Sequence, residues 1–265
     1  MIVNAEELEK KDFYENFVKP KIPVLIKNFL DSDKLDRLVT KNRENLHNID
    51  GRGSAKFLYL QFSSPEIKDH LHQIPLIKGM MQNEEIEFRE NFRLWEHNSG
   101  KVSPFHYDKG SIDILNICLA GSKEWNFVSP DTPLKCFPFT NICIPFTSLS
   151  KCKAVDLVME KGDLIYVPRN WFHRVKTVAD QTRTINMIFL DSGDIRINSR
   201  ERELAAIKKR LKPNFSYSFN NCSRIEKAVQ STPLGNIVKR CAIELLPISL
   251  VLIALIATVL LSTAI

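Results

Sequence analysis

The stretch GDLIYVPRNWFH, residues 162–173, is the part of the sequence that decides the fold. Gly162 and Asp163 predict a turn, and the apolar run at residues 164–167 predicts a short strand. Pro168 predicts a sharp exit from that strand, because proline has no N–H for a sheet ladder. The stretch ends at His173.

Short runs of alternating apolar and polar residues lie on both sides of this stretch. Turn residues separate these runs, and they do not alternate with helices, so the sequence predicts an antiparallel sandwich or barrel. The run PKIPVLIKNF predicts a further strand near the N-terminus, and residues 5–17 and 31–46 predict helices. The other strand-like runs are KFLYLQF, EFRENFRLWEHN, DILNICLAG, EWNFVSP, AVDLVMEKGDLIYVP and RVKTVADQTRTINMIFL.

A pair of potential metal ligands lies upstream. His106 and Asp108 are two residues apart, so their side chains point to the same face of an extended chain, and His173 follows His106 by 67 residues. Two imidazoles and one carboxylate on one face of an iron ion leave three positions open, as non-haem Fe(II) oxygenases require. An HxD pair alone is a weak signal, but HxD followed by GDxxxxPxxWxH is a strong one. The alternative is a core histidine at His173 and a turn residue at Asp108.

The motifs VSPFHYD and GDLIYVPRNWFH, preceded by KPKIPVLIKNF and FLYLQF, resemble the JmjC hydroxylases and the cupin-like family that includes the asparaginyl hydroxylase of hypoxia-inducible factor. The resemblance covers residues 13–190. It implies a mainly β fold, a double-stranded β-helix or jelly roll with flanking helices and the metal in its mouth. It also implies that His106, Asp108 and His173 bind Fe(II), with 2-oxoglutarate and O₂ as cosubstrates.

The 2-oxoglutarate dianion needs a cation and polar donors inside a partly apolar barrel. By the resemblance, Lys123 in LAGSKEWNF supplies the cation, and Ser103 stands where the family usually has threonine. Arg183, ten residues after His173, is an alternative cation, because other 2-oxoglutarate oxygenases use that spacing. Strand alternation puts Arg183 and Asn186 on opposite faces, which favours Lys123. The further residues that the resemblance assigns to the cosubstrate are Tyr59, Asn116 and Asn186.

The last 21 residues, LLPISLVLIALIATVLLSTAI at 245–265, contain no charge. A helix of that length spans about 30 Å of hydrocarbon, so the sequence predicts one C-terminal transmembrane helix. Lys239 and Arg240 favour a cytosolic N-terminal side, as in a tail-anchored protein. A buried or interaction helix is the alternative. The predicted organisation is an oxygenase domain at 1–194, a charged helical segment and linker at 195–244, and the anchor at 245–265.

The charge distribution predicts which kinds of partner the chain binds, and the cysteine pattern predicts the redox state of its thiols. The formal net charge is +6, with a basic cluster at residues 200–212 that is typical of a solvated helix face. Because the cluster precedes the apolar tail, attraction to lipid headgroups is a better functional alternative than nucleic acid, which we do not expect as a partner. The start of the chain has no apolar region of the kind found in signal peptides, so we do not expect a cleaved secretory signal. The six cysteines show no CxxC pairing, so we expect them to be reduced thiols.

The resemblance implies an enzyme that hydroxylates a protein side chain. An aspartate rather than a glutamate in the triad favours this activity over histone demethylation, and the tail implies a substrate at or near a membrane. Two alternatives remain open at this stage. One is a non-catalytic membrane-bound cupin, and the other is a small-molecule or lipid hydroxylase, which a deep apolar pocket opening toward the tail would favour.

Overall fold

The computed structural model describes residues 1–8, 10–42, 57–62, 64–89, 92–110, 112–130, 132, 136, 141–143, 154–191, 236–238 and 241–242. Four α-helices occur in the part so described before residue 191: α1 (Lys10–Phe13), α2 (Ser32–Asn42), α3 (Pro65–His72) and α4 (Pro75–Met81). The strands are β1 (Ile2–Asn4), β2 (Val24–Lys27), β3 (Phe57–Phe62), β4 (Ile86–Phe88), β5 (Phe92–His97), β6 (Val102–His106), β7 (Asp113–Ala120), β8 (Ser122–Val128), β9 (Ala154–Glu160), β10 (Leu164–Val167), β11 (Phe172–Thr177) and β12 (Thr182–Asp191).

The strands form two sheets. The larger has the order β1-β2-β10-β7-β12-β5-β3, with β4 also paired to β12, and the smaller has the order β6-β11-β8-β9. All pairings in these sheets are antiparallel except β1 with β2. From β6 to β12 the chain passes repeatedly between the sheets. This is the jelly-roll arrangement, so the predicted mainly β fold is confirmed.

Two apolar layers hold the sheets and helices together. Between the sheets, Leu25 and Ile188 of the larger sheet share a buried cluster with Trp125 and Leu157 of the smaller. On the other face of the larger sheet, the helices contribute to a second buried cluster. Strand β12 supplies both layers, because successive side chains of a strand point to opposite faces. Its inward Ile188 joins the first cluster, and its neighbour Phe189 joins the second.

The N-terminal helices differ from the prediction. In place of one helix at residues 5–17, the chain forms a 3₁₀ turn at Ala5–Glu7, then α1, then a π-helical turn at Tyr14–Val18. Phe13, Phe17 and Val18 are buried, so packing of this wide turn against the core overrides regular helix geometry. The second predicted helix is α2, which the structure describes to Asn42.

Helices α3 and α4 were not predicted. Each begins with a proline, at Pro65 and Pro75, where the missing N–H has no helical partner to lose. Ser64 caps α3, because its hydroxyl accepts a hydrogen bond from the Ile67 N–H. The sequence therefore contains a helix start signal at Ser64 and Pro65, but the polar residues around His70 and His72 show no clear helical pattern and the helix was not predicted.

The predicted linker and anchor fall mainly outside the described residues. Residues 236–238 and 241–242 are helical, and the Nδ2 of Asn236 donates to the carbonyl of Val102 over 3.1 Å. The predicted span at 245–265 lies outside the described residues altogether. Within the described ranges, the structure contains no helix with the length and apolar character needed to cross a membrane.

Gly121, in the turn between β7 and β8, is predicted to resist substitution. It has a φ of +76°, and a Cβ there would lie 2.8 Å from the Cα of Thr182. Gly121→Ala therefore adds a clash to an unfavourable left-handed conformation, and we expect the free energy of unfolding to fall by about 2 kcal/mol or more. Chemical denaturation measures this change.

Gly100 provides the matched control for this substitution. Its φ is +79°, but a Cβ there would meet nothing within 4 Å. For Gly100→Ala the free energy of unfolding should therefore fall only by the cost of the left-handed conformation, about 1 kcal/mol. Equal losses in the two variants would show that the approach of Thr182 contributes nothing.

Candidate metal and cosubstrate site

Three potential metal ligands meet at one end of the smaller sheet. His106 ends β6 and faces His173 of β11 in register, while Asp108 follows β6 by two residues. The ligand atoms of these three residues all lie within 4.8 Å of one another. The His173 Nε2 lies 3.6 Å from the Asp108 Oδ2, and the two imidazole centroids are 4.4 Å apart. One cation could therefore contact all three side chains.

Backbone carbonyls orient both imidazoles. The Nδ1 of His106 lies 2.7 Å from the Pro104 carbonyl oxygen, and the Nδ1 of His173 lies 3.2 Å from the Trp171 carbonyl oxygen. A carbonyl only accepts hydrogen bonds, so each Nδ1 carries the proton and each Nε2 presents its lone pair. Metal-binding histidines are commonly fixed in this way. The two nitrogen donors and one carboxylate suit Fe(II).

An aromatic wall supports His173 from the side. Trp125 stacks on Phe127 with ring centroids 5.6 Å apart, and their centroids lie 5.7 and 5.9 Å from that of His173. Both Trp125 and Phe127 are buried. The wall limits the rotation of His173 and keeps one side of the candidate metal site dry.

A cavity of about 470 Å³, including its open mouth, lies between the two sheets beside these ligands. The structure brings four more of the sequence-predicted residues to its wall: Ser103, Asn116, Lys123 and Asn186. The predicted Tyr59 faces Trp95 in the pairing of β3 with β5, but its side chain is outside the described part. The cavity is lined by Trp95, His97, Ser103, His106, Asp108, Ile114, Asn116, Lys123, Trp125, Val167, His173, Val175 and Asn186.

Lys123 is a buried cation in this wall. Only 3% of the residue is exposed, and its Nζ donates a 2.7 Å hydrogen bond to the Thr184 hydroxyl. Among the described residues, no carboxylate lies within ion-pair distance of it. Burial lowers the pKa of Lys123 from 10.5 to about 8. A buried ammonium without an anion is costly, so this end of the cavity fits an anionic ligand.

Arg183, the alternative cation, is held elsewhere. Its Nε donates to the Oδ1 of Asp36 over 2.8 Å, and its Nη2 donates to the other oxygen of that carboxylate on α2. The hydrogen bonds that Arg183 donates to Asp36 raise the pKa of Arg183. Arg183 is not among the residues that line the cavity. The structure therefore brings Lys123, and not Arg183, to the candidate site, while the role of Lys123 stays a prediction.

Neighbouring strands bring Asn116 and Asn186 together. The two residues are in register on β7 and β12, and the Nδ2 of Asn116 donates to the Oδ1 of Asn186. Both are buried in the cavity wall. Their amide groups add polar atoms to the same cavity wall that the metal ligands and Lys123 line.

Sequence reasoning missed three residues of the site. Thr184 holds the Lys123 Nζ, and Trp95 and His97 line the cavity. Burial and the nearby charges of Lys123 and Lys101 lower the pKa of His97 to about 3, so it is neutral. The alternation in the runs FRLWEH and TRTINM could have put these residues on an inward face, although nothing in the sequence marked that face as part of the cavity.

Comparison with known proteins agrees with this geometry. Residues 72–191, somewhat less than half of the chain, match the JmjC domain. These residues include the triad, Lys123 and both asparagines. The match supports the JmjC/cupin family. Members of that family are 2-oxoglutarate-dependent oxygenases, and the His-Asp-His group here is a possible metal site of that kind.

Two curated proteins are similar to the chain in sequence. JmjC domain-containing protein C of Dictyostelium discoideum is 23% identical over 137 residues, covering 43% of this chain and 32% of that protein. Arginine-specific demethylase JMJ22 of Arabidopsis thaliana is 23% identical over 221 residues, covering 66% of this chain and 43% of that protein. The chain thus spans less than half the length of either relative.

A solved structure also aligns with the chain. The X-ray structure of E. coli ycfD aligns with a TM-score of 0.46 and 17% identity, over 81% of this chain and 61% of that chain.

Proposed function

We propose that this JmjC-domain chain is an Fe(II)- and 2-oxoglutarate-dependent oxygenase that hydroxylates a protein side chain. One observation carries the proposal: three potential metal ligands and a buried lysine without a carboxylate partner among the described residues line the same cavity. The metal ligands alone would fit many metalloproteins. The additional buried cation fits a cosubstrate that is itself an anion.

Different residues of the chain would have different roles in this reaction. His106, Asp108 and His173 would hold Fe(II), which together with 2-oxoglutarate and O₂ supplies the oxidising chemistry for a C–H bond. Lys123 would match the charge of the distal carboxylate, with the Thr184 hydroxyl keeping its Nζ in place. Trp125 and Phe127 keep water away from one side of His173.

Succinate formation tests the proposal. Full-length protein in detergent is loaded anaerobically with Fe(II) and then given 2-oxoglutarate and O₂. We expect succinate in proportion to enzyme concentration. Iron binding without any succinate, with or without added cell-derived protein fractions, would favour the non-catalytic cupin instead.

The product separates hydroxylation from demethylation. One relative is named an arginine-specific demethylase, so demethylation of a methylated side chain is the second candidate. Hydroxylation leaves an added oxygen atom on the substrate, whereas oxidation of an N-methyl group releases formaldehyde. Mass spectrometry and a formaldehyde assay on the same reaction distinguish the two, and an oxidised lipid or metabolite would favour the small-molecule alternative.

The affinity for 2-oxoglutarate is expected to depend on pH through Lys123. The pKa of this lysine in the ligand-free protein is about 8, and the protonated form matches the dianion. As the pH rises through this value the ammonium is lost, so the KM for 2-oxoglutarate should rise, approaching about tenfold per pH unit at higher pH. Below that value the KM should be nearly flat. A KM that stays constant from neutral pH to about pH 10 would show that Lys123 does not bind the cosubstrate.

We also propose that residues 245–265 anchor the enzyme in a membrane with the N-terminal domain in the cytosol, where it acts on a protein near that membrane. The proposal rests on 21 consecutive uncharged residues. After carbonate extraction, the full chain should stay with the membrane fraction, whereas a chain truncated after residue 244 should appear in the supernatant. Full-length protein in the supernatant would contradict the anchor.

A further inference from the structure

Two cysteines face each other beside the strand that carries His106. Cys136 and Cys143 form an isolated antiparallel β-bridge, and both are thiols in the structure. Cys143 is buried in an apolar cluster with Phe105 and Phe172, and the partly exposed Cys136 packs against the same cluster. The two side chains therefore lie on the same side of the bridge and share their neighbours.

Backbone hydrogen bonds define the type of this bridge. The Cys143 N–H donates to the Phe105 carbonyl of β6 over 2.8 Å, and the Tyr107 N–H donates to the Asn141 carbonyl over 3.3 Å. The N–H of Cys143 thus points toward β6 and away from Cys136. Directly opposed residues of an antiparallel pair either exchange both of their N–H···O bonds or exchange neither, so the two cysteines form a non-hydrogen-bonded pair.

A pair of this type has the geometry that a disulfide needs. Non-hydrogen-bonded pairs bring their Cα atoms to about 4.5 Å, with the side chains closer together than in the hydrogen-bonded type. Disulfides bridge Cα atoms that are about 4.4 to 6.8 Å apart. A bond between the two sulfur atoms would therefore require little movement of the backbone.

We propose that Cys136 and Cys143 form a reversible disulfide, with a small disulfide of the glutathione type as the oxidant. The Cys136 thiolate attacks one sulfur of glutathione disulfide, which releases one glutathione and leaves the other bonded to Cys136. Cys143 then gives up its proton and attacks the Cys136 sulfur, which releases the second glutathione. The cysteine pair loses two electrons and two protons, and these reduce glutathione disulfide to two thiols.

The surroundings of the two thiols set the order of these steps. Burial, and after it the nearby Cys136, raises the pKa of the Cys143 thiol to about 12, so this thiol stays protonated and reacts poorly with an external oxidant. Cys136 is partly exposed and is the residue that an oxidant reaches. Disulfides of cytosolic proteins are usually transient, which agrees with the expectation of reduced thiols in the resting chain.

The disulfide would stabilise the backbone around His106. Ile142 forms a bridge with His106, and the Nδ2 of Asn141 donates to the carbonyl of Tyr107. Residues 141–143 thus hold β6 on both sides of this candidate ligand. A cross-link at Cys143 makes local opening of these residues less favourable, so their amide hydrogens should exchange about tenfold more slowly in the oxidised chain.

Peptide mapping after oxidation tests the proposal. The metal-free full chain in detergent is equilibrated with mixtures of reduced and oxidised glutathione, quenched with acid, alkylated and digested with trypsin. Cleavage after Lys135 and Lys151 leaves both cysteines in one peptide. We expect this peptide to lose two hydrogen atoms and to escape alkylation in oxidising mixtures, and dithiothreitol should reverse both changes.

Three variants separate the steps. Cys143→Ala should accumulate glutathione on Cys136, and Cys136→Ser should leave Cys143 as a thiol. Cys118→Ala is the matched control, because Cys118 is also buried but its thiol donates to the Ala120 carbonyl over 3.4 Å. It should form the same disulfide as the unsubstituted chain.

Three results would overturn the proposal. These are glutathione that remains on Cys136 of the unsubstituted chain, a disulfide from either residue to another cysteine, and two thiols that stay open to alkylation in the most oxidising mixture. Equal amide exchange of residues 141–143 in the oxidised and reduced chains would overturn the stabilisation of β6. None of these measurements requires iron or turnover, so they are independent of the proposed oxygenase activity.

Discussion

Replacing His173 by alanine is expected to abolish both Fe(II) binding and succinate formation. The imidazole faces His106 in register and its Nε2 lies 3.6 Å from the Asp108 carboxylate, so its loss leaves two of three ligands. We expect turnover of 2-oxoglutarate to fall by about a hundredfold or more, since loss of a single supporting contact to a metal ligand already costs about tenfold to a hundredfold. Bound iron per chain and succinate release measure the two effects.

His72→Ala is the control for this substitution. His72 ends α3, is partly exposed and lies outside the ligand group. It should keep iron content and turnover unchanged. His106→Ala and Asp108→Ala should reproduce the loss seen with His173→Ala. Normal iron binding and turnover in any of these three variants would contradict the assignment of the triad.

Replacing Lys123 by methionine is expected to raise the KM for 2-oxoglutarate by about tenfold to a hundredfold, which is the effect of losing one hydrogen bond to a charged group. Methionine retains most of the buried volume of lysine and removes the charge. The folded protein should not lose stability, because the ammonium is buried without a described anion. The KM and the melting temperature of the same sample separate these effects.

Arg183→Met is the corresponding control, since Arg183 was the alternative cation. We expect a nearly unchanged KM, because its guanidinium is bound to Asp36 on α2 and is not in the cavity wall. Its melting temperature should fall instead, as the Asp36 carboxylate loses its partner. A larger increase in KM for Arg183→Met than for Lys123→Met would move the anchor to Arg183.

Most of the prediction of the fold and the candidate site came from strand propensity and from the spacing of potential metal ligands. Apolar runs, period-two alternation and turn residues are local signals, so strands such as β7 and β10 could be recognised, and the HxD pair could be placed on one face. Helix α3 was missed although Ser64 and Pro65 marked its start. The π-helical turn at Tyr14–Val18 could not be predicted, because it depends on packing against residues far away in the sequence.

The sequence by itself predicted the β architecture, because alternation along a strand and turn residues are local signals. Its motifs, through their resemblance to the JmjC hydroxylases, predicted the triad and the lysine candidate. Only the tertiary structure decided that Arg183 pairs with Asp36, that Thr184 holds Lys123, and that Asn116 lies beside Asn186 in the cavity wall. These contacts join residues from about 60 to 150 positions apart, and no local pattern records which strands become neighbours. The register between strands brings these candidate residues together in one place.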